Sequence, residues 1–273
     1  MTEVVETDAV DPSDASNRAR TLYLDLMKKS LTGMIYGDES AFPGQRFPYN
    51  ERIRSEGRDW PSQAHTMIGM KRLNNIQFCV EDVLQREVRG DLIETGVWRG
   101  GAVIFMRAIL KAYGVEDRHV WAADSFEGVP APDPINYPLD ADLTLNEYEE
   151  LAVSVDQVRS NFRRYDLLDG QVHFLKGWFS ETLPCAPISH LSILRLDGDL
   201  YQSTMEALRH LYPKLQLGGY AIIDDFNWIS ACREAVLDYR REFGIVEEMI
   251  PVDTSAVFWR KESSPSRLAK QNA

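Results

Sequence analysis

The sequence predicts an α/β fold built on a mainly parallel sheet with helices on both faces. Three observations predict it. From Gly90 onward, short apolar runs alternate with longer amphipathic segments, the signature of strand–helix–strand units. The first apolar run passes into a helical segment through a glycine-bearing turn, "IETGVWRGGA". Acidic residues stand at the ends of the apolar runs, and the carboxyl ends of parallel strands are where such sheets bind ligands.

The elements follow in order. Residues 1–18 are acidic and polar and read as a disordered tail. "ARTLYLDLMKKSLTGMIY" spaces Leu22, Tyr23, Leu26, Met27 and Leu31 as a helix. The stretch 37–62, rich in Gly, Pro and charge, reads as a long loop and a candidate lid, with Trp60 as a closing residue or a packing anchor. "AHTMIGMKRLNNIQFCVEDVLQREV" places Ile68, Leu73, Ile76, Val80 and Val83 on or near one helical face. Strands are expected at "DLIET", "RHVWAAD", around Val172 to Lys176, at "LSILRL" and at "GGYAII", with two more within "VEEMIPVDTSAVFWRK". The Pro- and Asp-rich insertion at 130–150 is a second lid candidate. This gives a tail at 1–18, an N-terminal helical cap and lid at 19–88, a catalytic domain at 89–261 and a flexible tail at 262–273.

A formal net charge of −12 argues against a general nucleic-acid binder, because phosphate backbones demand a basic surface. No stretch approaches the roughly 20 apolar residues that span a bilayer. The N-terminus has neither a basic nor an apolar signal region, so a cytoplasmic location is expected. Cys79, Cys185 and Cys232 lack metal or redox spacing and read as small buried hydrophobes.

In the glycine turn, Gly96 permits close backbone approach, and Gly100 and Gly101 permit tight strand–helix packing. Glu94 ends the strand, placed to accept a hydrogen bond from a ligand. Trp98 stands where a dinucleotide fingerprint needs glycine, which disfavours a pyrophosphate and a nicotinamide dehydrogenase. Asp124 follows 28 residues after Gly96, where an acid can grip a ribose diol or cap the next helix.

Asp197 ends one strand; Asp224 and Asp225 end the next, 27 residues on. If the strands are neighbours, the three carboxylates converge. Such a group resists ionisation unless a cation joins it, and oxygen ligands without histidine favour Mg²⁺, Mn²⁺ or Ca²⁺. The competing reading makes Asp197 and Asp225 helix caps and leaves Asp199 in solvent.

With "HTMIGMKRLNN", "IETGVWRGG", "ADSFEG", "RLDGDLYQSTMEAL" and "GGYAIIDDF" assembled, residues 20–260 resemble the macrocin O-methyltransferase (TylF-type) family. The resemblance implies a Rossmann-like class I S-adenosylmethionine-dependent methyltransferase with a seven-stranded sheet. It also implies Mg²⁺ dependence and an acceptor that is a sugar hydroxyl on an antibiotic. The 4-hydroxyl of noviose is the first candidate, and a macrolide deoxysugar 3-hydroxyl is its rival. By the same resemblance Thr66, Met67 and the turn Glu94, Thr95, Gly96, Val97 and Trp98 line the cofactor's amino-acid end. Asp124, Ser125 and Phe126 hold ribose and adenine, Trp178 flanks the adenine, and Asp197, Asp224 and Asp225 are the metal ligands.

A sugar hydroxyl is a weak acid and needs a proton acceptor as well as alignment with the methyl group. Asp197 is the candidate for that catalytic role. His65 adjoins Thr66 and is a further candidate for the site; His119, His173, His190 and His210 read as surface or core residues. A catechol would suit the same aspartates, and a silent binding protein on the same fold is the alternative of another class. The apolar first helix is expected to pack against a second subunit, giving a homodimer.

Overall fold

The computed structural model describes residues 12–42 and 44–264. The rest of the expected tails, residues 1–11 and 265–273, lies outside the described residues. Helix α1 (Pro12–Leu31) starts seven residues earlier than the composition suggested. Leu24, Met27 and Leu31 recur at helical spacing and are buried, packing α1 onto α4 and α3 of the same chain. The exposed apolar residues of this helix, Leu22 and Leu26, lie on its other side.

The loop expected at 37–62 is ordered around one side chain. It contains the short helix α2 (Glu51–Ser55), from which Arg54 is fully buried. Arg54 donates to the carbonyls of Thr32 (2.7 Å) and Asp38 (2.8 Å) and to the carboxylate of Asp59. The Asp38 carboxylate in turn accepts from Ser62 Oγ and from the backbone N–H of Gln63 and Ala64. Helix α3 (Gly69–Gln85) follows; its first expected turn, Ala64–Ile68, is instead a non-helical connection.

The sheet comprises β1 (Asp91–Thr95), β2 (Val120–Asp124), β3 (Val172–Lys176), β4 (Leu191–Leu196), β5 (Leu215–Ile223), β6 (Ile250–Pro251) and β7 (Val257–Arg260). Its order is β3-β2-β1-β4-β5-β7-β6, with β7 antiparallel to β5 and β6 and the other pairs parallel. The helices between strands are α4 (Gly101–Ala112), α5 (Val155–Arg164), α6 (Phe179–Thr182), α7 (Tyr201–Leu211) and α8 (Ser230–Phe243). Strand periodicity sorts the core into two layers. Leu92, Val120, Ala122 and Ile193 meet α1, α3, α4 and α5 on one face. Ile93, Ala123, Leu194 and Leu196 meet α7 and α8 on the other. Each buried leucine, isoleucine or valine of these layers contributes roughly 2 kcal/mol. This arrangement puts the ends of β1, β4 and β5 side by side, which decides where the functional groups meet.

Among the described residues no helix is long and apolar enough to cross a membrane.

Candidate active site

A cavity of about 980 Å³ opens at the carboxyl ends of the parallel strands. Asp197 follows β4, and Asp224 and Asp225 follow β5. Each offers one oxygen, and the three oxygens lie within 4.8 Å of one another. The aspartates do not cap helices. Helix α7 takes Leu200 as its N-cap residue and α8 takes Ile229, neither with a side-chain bond. The caps of α7 come from the insertion: Asp140, fully buried, accepts the N–H groups of Tyr201 (2.7 Å) and Gln202 (3.0 Å).

Two arginines hold the acids in place. Arg195, inside β4 and fully buried, donates to Glu94 (2.5 Å), to Asp197 (2.8 Å) and to Asp224. Arg72 of α3 donates to the other oxygen of Asp224 and, at 2.8 Å, to Asp253. Asp225 has no such partner. Its Oδ2 is buried without a hydrogen bond among the described residues, the condition that a bound cation relieves. Burial, with the charges of Asp199, Asp197 and Asp224, pushes the Asp225 carboxyl well above the ordinary range.

Asp199 faces the cavity near Asp225; it is not a solvent-facing residue. Burial and the charges of Asp197 and Asp224 push it up to about 8. Its backbone is left-handed (φ +59°), a conformation that non-glycine residues rarely adopt and that recurs at functional sites. The sequence signal was present in "LDGDL", where the second acid follows a glycine.

Gly96 is needed for a neighbour within the protein. It has φ +83°, and a Cβ there would stand 1.7 Å from the Asp197 carbonyl oxygen. The Asp197 N–H donates to Thr95 O at 2.8 Å, so the ends of β1 and β4 are in contact at this point.

Met67, Gly96, Val97, Trp98, Asp124, Ser125, Trp178, Asp197, Asp224 and Asp225 line the cavity. Thr66, Glu94, Thr95 and Phe126 stand behind its wall. Glu94 turns to Arg195, Thr95 lies wholly within the sheet, Thr66 is buried where Gly101 packs on it, and Phe126 packs near Phe174. Burial raises Glu94 to about 8, against the pull of Arg195. Asp124 accepts from the N–H groups of Val97 (2.6 Å) and Phe126 (2.7 Å), bracing the glycine turn rather than capping a helix. His65 is turned away and bonds Tyr165 Oη at 2.7 Å. Trp60 lines the cavity, its ring between those of Phe42 (5.5 Å) and Tyr148 (5.6 Å). It therefore joins the N-terminal loop to the insertion. A second tie is Trp98, whose indole N–H donates to Glu150 O at 2.9 Å.

Residues 39–261 match the family described as macrocin O-methyltransferase (TylF). The chain belongs to this family. It is an O-methyltransferase, as its relatives are. It is 52% identical over 265 residues to the demethyldecarbamoylnovobiocin O-methyltransferase of Streptomyces niveus, covering 96% of this chain and 99% of that one. It is 54% identical over 254 residues to the 8-demethyl-8-(2,3-dimethoxy-alpha-L-rhamnosyl)-tetracenomycin-C 4'-O-methyltransferase of Streptomyces olivaceus, covering 91% and 96%. The fold superimposes on the structure of the O-methyltransferase NovP with a TM-score of 0.86 and 53% identity, over 89% of this chain and all of that one.

Proposed function

We propose that this macrocin-type O-methyltransferase carries the methyl group of S-adenosylmethionine to a deoxysugar hydroxyl of a glycosylated antibiotic, with Mg²⁺ held by Asp197, Asp224 and Asp225. The observation that carries the reading is the convergence of those carboxylates on the cavity, with Asp225 Oδ2 buried and unpartnered. An all-oxygen donor set fits a hard divalent ion. The noviose 4-hydroxyl is the first candidate acceptor and a macrolide deoxysugar 3-hydroxyl the second. The relatives acting on novobiocin-type and tetracenomycin-type glycosides are almost equally similar, so identity alone does not choose.

S-adenosylmethionine, when bound, supplies a methyl group on a sulfonium; the ion supplies positive charge that lowers the pKa of an adjacent hydroxyl. The chain's own residues do the rest. Met67, Gly96, Val97, Trp98, Asp124, Ser125 and Trp178 form the cofactor wall, with Asp124 oriented by two backbone N–H groups to meet a ribose diol. Glu94, Thr95, Thr66 and Phe126 support that wall from behind. Arg195 fixes the direction of Asp197 and Asp224. Asp197 is one candidate for the acceptor of the hydroxyl proton. Asp199 is a second, favoured by its place in the cavity wall and its freedom from Arg195. The rings of Phe42, Trp60 and Tyr148 pack against one another and join the N-terminal loop to the insertion at one side of the cavity. A cytoplasmic homodimer joined through Leu22 and Leu26 belongs to the same reading, and light scattering tests it.

The experiment is turnover of demethyl antibiotic glycosides with S-adenosylmethionine, followed by mass spectrometry. EDTA abolishes product and Mg²⁺ restores it. Indifference to chelator removes the ion from the scheme, and methylation of catechols in preference to glycosides refutes the sugar acceptor.

A further inference from the structure

Trp228 lies three residues beyond Asp225, in the turn that connects β5 to α8. Its backbone N–H donates to the Asp225 carbonyl at 3.1 Å, and that of Ile229 donates to the same oxygen at 2.9 Å. The backbone that carries the indole is thus anchored beside the aspartates. It lines the cavity, yet is 70% exposed, with no ring partner and no acceptor for its N–H among the described residues. The rings of Phe42 and Phe47, from the N-terminal loop, line the same cavity and are about half exposed. Aromatic faces left open along a cavity offer a ligand rings to pack against.

The strand order says which ligand. The cofactor wall comes from the ends of β1, β2 and β3, the aspartates from β4 and β5, and Trp228 from beyond β5. The indole therefore stands across the aspartates from the cofactor. A sugar whose hydroxyl meets the aspartates presents its far side, the glycosidic substituent, to Trp228.

We infer that Trp228 is the platform for the aglycone, and that it makes the enzyme prefer glycosides of flat aromatic aglycones over sugars without one. This rests on the sugar-acceptor reading above. The test uses two probes, 4-methylumbelliferyl α-L-rhamnoside and methyl α-L-rhamnoside. The wild type favours the umbelliferyl glycoside by about tenfold or more in kcat/KM, expressed in KM. Trp228→Ala reduces that preference to about twofold or less, and Trp228→Phe keeps most of it. Calorimetry with S-adenosylhomocysteine confirms that both variants keep the cofactor site. An unchanged preference in Trp228→Ala, an equal loss on both rhamnosides, or a wild type that treats the two alike overturns the assignment while leaving the sugar reading intact. A wild type that methylates neither rhamnoside nor any other glycoside overturns both.

Discussion

Arg72 and Asp224 form a buried ion pair that joins helix α3 to the end of strand β5, 152 residues apart in the chain. With Arg195 on its other oxygen, Asp224 is held by two cations. Removing one partner of a buried pair costs about 3 kcal/mol, because the remaining charge is left uncompensated. Arg72→Met should lower stability by about that amount. Mg²⁺ should recover part of the loss, so its addition should raise the urea midpoint more in the variant than in the wild type. Equal shifts in the two proteins would show that Arg72 and the ion do not share Asp224.

Asp197 and Asp199 should separate by readout. Asp197→Asn should weaken Mg²⁺ binding, measured by calorimetry, by about tenfold or more. Asp199→Asn should leave Mg²⁺ affinity within about threefold and lower kcat by about 10²–10⁴, the usual worth of a positioned base. If Asp199→Asn turns over normally, the proton goes elsewhere, and Asp197 regains that role.

Gly96→Ala should be severe. The added methyl meets the Asp197 carbonyl at 1.7 Å, and φ +83° is itself costly for alanine. About 3 kcal/mol or more of stability should be lost and the β1 and β4 ends driven apart. Because the same movement displaces Asp197, Mg²⁺ binding should fall with it. A variant with wild-type unfolding and Mg²⁺ affinity would contradict this contact.

Asp140→Ala removes both bonds that the insertion makes to the start of α7. The expected cost is about 1–2 kcal/mol in urea unfolding, as for a lost helix cap. The acceptor KM should rise with it, because the insertion loses its anchor beside the Asp197–Asp199 turn. Loss of stability with the KM unmoved would confine Asp140 to a structural role.

His65 makes stability sensitive to mild acid. Burial, with the charges of Arg164 and Arg99, lowers its pKa to about 4. Unfolded histidine titrates near 6.5. Above that pH the ring is neutral in both states and contributes no difference. Between about pH 6.5 and 4 the unfolded chain takes up a proton that the folded protein refuses, so stability falls as pH falls. The drop from pH 7 to 5 should reach at most about 2 kcal/mol. His65→Gln should flatten that part of the profile; an identical acid slope would place the effect on other groups.

The sheet and the three aspartates were legible because parallel strands bring their carboxyl ends to one edge, so acids at the ends of successive apolar runs must meet there. The partners of those acids were not legible. Arg195 sits inside an otherwise apolar run, and a cation in a buried strand is itself a signal of nearby acids that periodicity alone passes over. Arg72 looked like one polar residue of an amphipathic helix, and its two acids lie 152 and 181 residues away. Asp140 looked like part of a charged insertion, although it is among the most buried acids of the chain. Glu94 is placed toward a ligand by its position at the strand end, and Thr95 by the family resemblance alone. Glu94 turns to Arg195 and Thr95 is buried within the sheet, so neither side chain lines the cavity.

The two ties on the insertion, Asp140 to α7 and Glu150 to Trp98, bracket the stretch between them like the ends of an exchangeable cassette. Between the ties Leu145 lines the cavity and Tyr148 packs on Trp60, so substitutions that keep Tyr148 can reshape the wall while both ties hold. A lineage could therefore acquire a new acceptor by rewriting that short segment, and grafting it between enzymes is a direct route to altered glycoside scope.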